Sequence, residues 1–459
     1  MEALHVSDGE LSILRKRVSG FQMLATIPNR GVVSFFLSFS LCYVVIALYL
    51  RSKCYRDPSS LFFRPESARV LTYSSFRKAQ ARKYADLAAL HTPTKWVANS
   101  TATEFCIGIS SVSRHGFSYL KETLGSVLEG LDDLERQRIY LVVFLAHTDQ
   151  SQHEDFNQPW LLNVADNLPT YPDDPETLEL VRQLEASGDY EAHARKQKID
   201  YTVLLSECAR VDAKYTMTLE DDVIALDGWY HRALGALHTA ARKTRELGRD
   251  SFLYLRIFYD GRLLGWNSEE WPLYVELSMA VLIIEVLILM TLRWRVVMMR
   301  KTLTIPVVFL LCGVCTPMLI GLFFAAGRNC MLPKKPGVHL MHKYGCCAQG
   351  LIFPQHQVLD HLLPLYGETH DTHAAVDTFL EDWANNRDNL RWAVTPVLIQ
   401  HVGGKSSHGA GDQEMGSLTD DMPFDYSFEM NDPIKLAKEH QAWVAEMLRR
   451  DPAVGGQPL

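Results

Sequence analysis

Three apolar runs stand out along the chain: GVVSFFLSFSLCYVVIALYL at 31–50, PLYVELSMAVLIIEVLILMTL at 272–292 and LTIPVVFLLCGVCTPMLIGLFFAAG at 303–327. About 20 residues of helix cross the hydrocarbon core of a bilayer, and ordinary core helices are shorter, so each run predicts a membrane span. Arg15, Lys16, Arg17 and Arg30 precede the first run, and no small-residue cleavage site accompanies it. It is therefore expected to be a retained anchor behind a cytosolic tail at 1–30. The other two predict a transmembrane hairpin over 272–327. A pair of buried core helices is the alternative reading, because Glu285 lies mid-span, where a charge costs about 3 kcal/mol. The membrane reading places Glu285 against its partner helix or leaves it neutral.

Between the runs the pattern changes period. EFCIGISSVSRHG, 104–116, reads as a short apolar strand with polar residues at its end, and FSYLKETLGSVLEGL after it has helical periodicity. RIYLVVFLAHTD, 138–149, reads as a second buried strand. Strand, helix and strand with polar residues at strand ends predict an α/β nucleotide-binding sheet. The Pro- and Asp-rich stretch 150–190 reads as a loop with one short helix, and ARKQKIDYTVLLSECAR, 194–210, resumes a helix. In YTMTL, 215–219, the period is two, and FLYLRIFYDGRLLGW, 252–266, supplies another strand. Beyond the hairpin, AQGLIFPQH is strand-like, HAAVDTFLEDWANNR is an amphipathic helix and LRWAVTPVLIQHVGG reads as one buried strand. The expected organisation is one α/β domain in two pieces, 51–271 and 328–408, with a polar tail at 409–459 that is assigned no chemistry.

Charge orients the spans. RWRVVMMRKT, between the second and third, carries four cations, and Glu269 and Glu270 precede the second. The positive-inside bias puts this loop in the cytosol, so parity places 51–271 and 328–459 together on the opposite side. Asn99-Ser100-Thr101 is a glycosylation acceptor usable only in a secretory lumen. Six of the cysteines lie outside the spans: Cys54, Cys106, Cys208, Cys330, Cys346 and Cys347. An even number permits disulfides in any of fifteen pairings, and no spacing resembles a zinc site. The adjacent Cys346 and Cys347 are expected to take separate partners, with buried free thiols the alternative. A net charge of -8 offers no basic field for nucleic acid.

The chemistry centres on LEDD, 219–222, at the carboxyl end of the period-two strand, where α/β sheets bind ligands. An acidic triplet arises by chance about once in such a chain, so position carries the argument. Glu220 and Asp222 can hold a hard divalent cation that a sugar-nucleotide diphosphate, also approached by Asp221, would bridge; a solvated turn is the alternative. Arg114 and His115, at the end of the first strand, are expected to line the nucleotide site. Lys196, with Arg195 and Lys198, either approaches a diphosphate or belongs to a solvated helix face.

The anchor, the acidic triplet, LYLRIFYDGRLLGW running into a hairpin, GCCAQGLIFP and TPVLIQHVGGKSSHG together resemble the post-GPI-attachment N-acetylgalactosamine transferase family, from about 104 to 408. The resemblance implies a GT-A-like glycosyltransferase domain split by a membrane hairpin. It implies transfer of N-acetylgalactosamine from a UDP-sugar to a mannose of the GPI-anchor glycan in the Golgi lumen. It also assigns His401 to the metal site, which would suit Mn2+ or Mg2+. Gly403 and Gly404 would let backbone approach the ligand. An inverting transfer needs a base apart from the metal carboxylates. Asp377 matches the position where that family keeps an Asp, with Glu381, one turn on, the second choice. For Glu381 and Asp382 a solvated acidic face is the simpler expectation. The rival functions are a related membrane enzyme using another UDP-sugar and a non-catalytic membrane scaffold.

Overall fold

The computed structural model describes residues 30–97, 103–114, 116–187, 189–341, 345, 347–368, 374–404 and 422–450; Asn99, His115 and Cys346 lie outside the described residues. The chain divides into two compact units, Met1–Cys54 with Asn267–Ala326, and Tyr55–Trp266 with Gly327–Leu459.

Among the described residues of the first unit, three helical stretches are long and apolar enough to cross a membrane. They are Arg30–Lys53, Trp271–Arg295 and the stretch from Ile305 to Ala325. The last contains a π-helical turn, Leu311–Cys315, just before Pro317. A proline ring clashes with the carbonyl four residues back, and a wider turn relieves that clash without ending the helix. Glu285 accepts a 3.0 Å hydrogen bond from the Thr316 hydroxyl of the facing helix, as its mid-span position requires.

The second unit is mixed α/β. Strands β1 (Thr103–Ser111), β2 (Ile139–Leu145), β3 (Ala213–Glu220), β5 (Tyr254–Arg256), β6 (Gly337–Leu340), β7 (Gly350–Pro354) and β8 (Arg391–Thr395) form one sheet in the order β2-β1-β3-β7-β5-β8-β6. β4 (Val223–Ala225) and β9 (Ile399–His401) pair separately. β2, β1 and β3 run parallel, with Ile107 beside Leu141 and Met217. These strands are apolar on both sides because both faces are covered. Phe105, Ile107 and Ile109 pack into one core with Leu120, Leu124, Trp229 and Leu237. Cys106, Val142 and Phe144 pack into a second with Val203 and Leu204. On that second face Cys106 is disulfide-bonded to Cys208, with Cα atoms 5.6 Å apart and 102 residues between them in sequence. Closing a loop of this length removes about 4–5 kcal/mol of unfolded-state entropy. Cys54, Cys330 and Cys347 are disulfide-bonded as well.

Three sequence expectations change. The stretch 150–190 is more ordered than a loop with one short helix: helices Pro159–Val164 and Pro175–Ser187 both form, and Trp160, Val181 and Leu184 are buried. LRWAVTPVLIQHVGG is two strands in different sheets, because Pro396 has no N–H to donate to a ladder and the chain turns there from β8 to β9. The tail after 409 is not separate. Helices Tyr426–Glu429 and Pro433–Arg450 bury Phe428 and Leu436 in the main core, and Glu429 accepts from Ser74 N and Gln400 Nε2.

Candidate functional site

The turn after β3 and the short β4-β9 ladder build the site. Val223 lies opposite His401, and Val402 N donates to Asp222 O at 2.9 Å, which brings the end of β9 against the acidic triplet. The result is that donor atoms of Glu220, Asp222 and His401 all lie within 4.8 Å of one another. His401 Nε2 is 3.3 Å from Asp222 Oδ2. Gly403 is required at this point, since a Cβ there would lie 2.2 Å from Asp222 Oδ2. The next amide, Gly404 N, donates to the Tyr119 hydroxyl at 2.7 Å.

Like charges crowd the cluster. Burial, reinforced by the Asp222 carboxylate beside it, pushes Glu220 up to about 8. Burial works the same way on Asp222, but His401 and Arg114 overcome it and hold that carboxylate at about 2. The half-buried Glu220 and the buried Asp222 thus do not readily carry charge together. Asp222 Oδ1 and His401 Nδ1 are buried with no hydrogen-bond partner among the described residues. Two carboxylates and one imidazole with unsatisfied donor atoms are a suitable set for a divalent ion such as Mn2+.

Asp221 turns elsewhere. Arg114 donates to its two oxygens, both at 2.6 Å, and Ser111 Oγ donates to Oδ2 at 2.5 Å. His153 backs Ser111: its Nδ1 accepts from Asp155 N, so Nε2 carries the proton and donates to Ser111 Oγ at 2.9 Å. Burial keeps this imidazole neutral, lowering it to about 4. The loop after β1 is pinned further by His147, which accepts from Ser113 N, and by Glu154, which accepts from Ser113 Oγ and Gly116 N. Arg114 therefore sits beside the triplet, at the end of β1, with both terminal nitrogens committed to Asp221.

Lys196 is neither on a solvated face nor free. Its ammonium is buried, donating to Ala146 O at 2.7 Å and to Asp200 at 3.1 Å. Lys198 is buried too, its ammonium 5.4 Å from the Phe379 ring centroid. Asp377 stands half-buried in the first turn of helix Val376–Asn386, and its charge is felt by Glu220, Tyr201 and Tyr366. Glu381, one turn on, does not form a solvated face. It is buried, with Arg256 on one oxygen at 2.7 Å, Arg391 on the other at 2.5 Å, and the Tyr254 hydroxyl donating to it. A carboxylate held by two guanidiniums has little use for a substrate proton, so its role is structural.

This Arg256-Glu381-Arg391 network and the Ser111-His153 support are not evident from the sequence pattern. Only the polar run HTDQSQHED after β2 carried a local signal for any of them.

A family model described as GPI-N-acetylgalactosamine transferase PGAP4 matches residues 105–400. The chain belongs to that family. More distant likeness runs to N-acetylglucosaminyltransferases. Alpha-1,3-mannosyl-glycoprotein 4-beta-N-acetylglucosaminyltransferase B of Danio rerio is 30% identical over 147 residues, 28% of this chain and 25% of that protein. The A form of Xenopus tropicalis is 29% identical over 139 residues, 28% of this chain and 26% of that protein. The C form of Sus scrofa is 35% identical over 126 residues, 26% of each. The chain thus spans about a quarter of the length of these relatives. Family and relatives together support a glycosyltransferase.

Proposed function

We propose that this chain transfers N-acetylgalactosamine from UDP-GalNAc to a mannose of the GPI-anchor glycan, with inversion and with a divalent metal, in the Golgi lumen. The observation that carries the reading is the Glu220-Asp222-His401 cluster at the end of β3 in a member of this family. A central mixed sheet with an acidic turn at a strand end supports a GT-A-like domain. Membership by 55–266 and 327–459 in one compact unit supports an even number of crossings between them, as a hairpin provides.

Glu220, Asp222 and His401 would hold the ion, which when bound supplies positive charge to the donor diphosphate. The residues of the chain do the rest. UDP-sugars are α-linked, so a β-linked product requires a single displacement at the anomeric carbon, and the attacking hydroxyl must lose its proton as it adds. We assign acceptance of that proton to Asp377, in the first turn of helix Val376–Asn386. Arg114 steadies the triplet by hydrogen-bonding Asp221 and by its charge near Asp222. A lipid-linked acceptor lies at the bilayer surface, and membrane spans in the same chain would hold enzyme and acceptor on one bilayer, which supplies proximity.

Calorimetry of the purified full chain with UDP, with and without Mn2+, combined with transfer from UDP-GalNAc to a GPI glycan, tests the reading. Metal-dependent UDP binding with transfer to mannose is expected. Absence of UDP binding under both conditions would leave the scaffold reading, and transfer from UDP-galactose or UDP-glucose alone would leave a related enzyme with another donor.

A further inference from the structure

Gln349 is buried, 6% exposed, immediately before β7. Its Oε1 has no hydrogen-bond partner among the described residues. The β3-β7 ladder fixes where this side chain lies. Thr218 faces Leu351 and Leu219 faces Gly350, and Glu220 N donates to Gln349 O at 3.2 Å, which carries the antiparallel register one step further. Facing residues of an antiparallel pair share a side of the sheet, so Gln349 and Glu220 are neighbours on one face. Helix Tyr190–Ala209 covers that face through Tyr201, whose hydroxyl is affected by Glu220, Tyr366 and Asp377 in turn. The Tyr366 hydroxyl, 1% exposed, also lacks a partner among the described residues.

The backbone around Gln349 is held on both sides. Cys347, at φ 83°, is disulfide-bonded, and its carbonyl accepts from Arg256 Nη1. Gly350, next along, is packed so closely that a Cβ would lie 2.5 Å from Ile399 Cδ1 and 2.7 Å from Ile257 Cγ1. A carboxamide kept in place by such anchors, beside a metal-binding carboxylate and with a buried unpaired oxygen, is preorganised for a polar ligand group.

We propose that Gln349 reads the acetamido group of the donor sugar, accepting from its N–H, so that the enzyme favours N-acetylated over plain hexoses. The inference rests on the nucleotide-sugar reading above. A donor whose diphosphate reaches Glu220 and Asp222 brings its sugar to the adjoining position on the same face. The acetamido group is also what the family description and the printed names of the relatives have in common, since their sugars differ otherwise. A neutral primary amide suits a secondary amide because its carbonyl accepts from the one N–H while its NH2 can donate to the one carbonyl. A hexose offers only a single 2-hydroxyl in place of the acetamido N–H and carbonyl, so it satisfies the site less fully.

The test uses the full chain in detergent with Mn2+ and four donors: UDP-GalNAc, UDP-GlcNAc, UDP-Gal and UDP-Glc. Gln349→Leu should lower kcat/KM for the preferred N-acetylated donor by at least about 30-fold and change that of the matching hexose donor by less than about 3-fold, leaving UDP affinity unaltered. Gln349→Asn, which keeps an amide, should recover part of the preference; it decides the matter if the leucine variant fails to bind UDP. Equal losses for both donor types in the variant that binds UDP, or no loss, would overturn the proposal, as would a wild-type enzyme indifferent to the acetamido group. Preference for UDP-GlcNAc over UDP-GalNAc would instead defeat the donor assigned above while leaving the role of Gln349 supported by the UDP-GlcNAc to UDP-Glc ratio.

Discussion

Arg114 grips Asp221 through two hydrogen bonds of equal length, 2.6 Å each, and so pulls the middle carboxylate of the triplet away from its neighbours. Glu220 and Asp222 are left to face His401. Replacing the fork by an apolar chain, Arg114→Met, should cost about 3–5 kcal/mol, because Asp221 would stay buried without its partner. Arg114→Lys should recover only part of this, since a point charge cannot make both bonds. Thermal unfolding of the solubilised protein measures the loss, and an unchanged midpoint for the methionine variant would refute the account.

Asp222→Asn and His401→Ala should each abolish the increase in UDP affinity that Mn2+ produces, while metal-free binding changes little. Each change removes one donor atom from a set of three. Titration calorimetry reads this directly. If the metal dependence survives in both variants, the cluster is not the ion site.

The two carboxylates of helix Val376–Asn386 should separate cleanly. Asp377→Asn is expected to lower sugar transfer by about 100-fold or more with UDP binding intact, as for loss of a general base. Glu381→Gln is expected to lower the unfolding temperature, because Arg256 and Arg391 lose their shared counter-charge. Near-normal transfer by Asp377→Asn would remove that residue from the chemistry.

His440 should make stability depend on pH. Burial opposes its charge, but hydrogen bonds to Asp227 and Glu135 prevail and raise the imidazole from 6.5 to about 9. Its contribution is therefore complete below about pH 6.5 and is lost as pH rises through 9. Melting temperatures of wild type and His440→Gln, followed from pH 6 to 10, should converge at the alkaline end. A constant gap between the two curves would show that the pair works through packing alone.

Much of the arrangement could be read from the chain because it depends on local period. The runs around Ile107, Val142 and Met217 announce strands, and the polar residues that follow each of them announce the ligand end of a sheet. The three spans are equally plain from length and apolarity. Pairing is different. Nothing near Glu381 indicates that Arg256, 125 residues earlier, will claim it, and nothing near Arg114 points to Asp221. Those ion pairs are set by strand order, which a periodic pattern does not encode. Likewise, the segment around His440 looks like a solvated tail because its buried side chains are few and its partner Glu135 lies 305 residues away. The fit of His401 to the triplet came from family resemblance, since a lone histidine at a strand end says little by itself.

The place of β7 between β3 and β5 has a consequence for biogenesis. Both neighbours precede the hairpin in the chain, whereas the strand that separates them follows it. During synthesis β3 must wait with one open edge and β5 with both, until residues 350–354 and 391–395 emerge. Assembly of the enzyme therefore depends on delivery of the later segment to the same compartment. A nascent chain that misplaces that segment retains every residue of the acidic triplet, yet lacks the strand against which Glu220 is set.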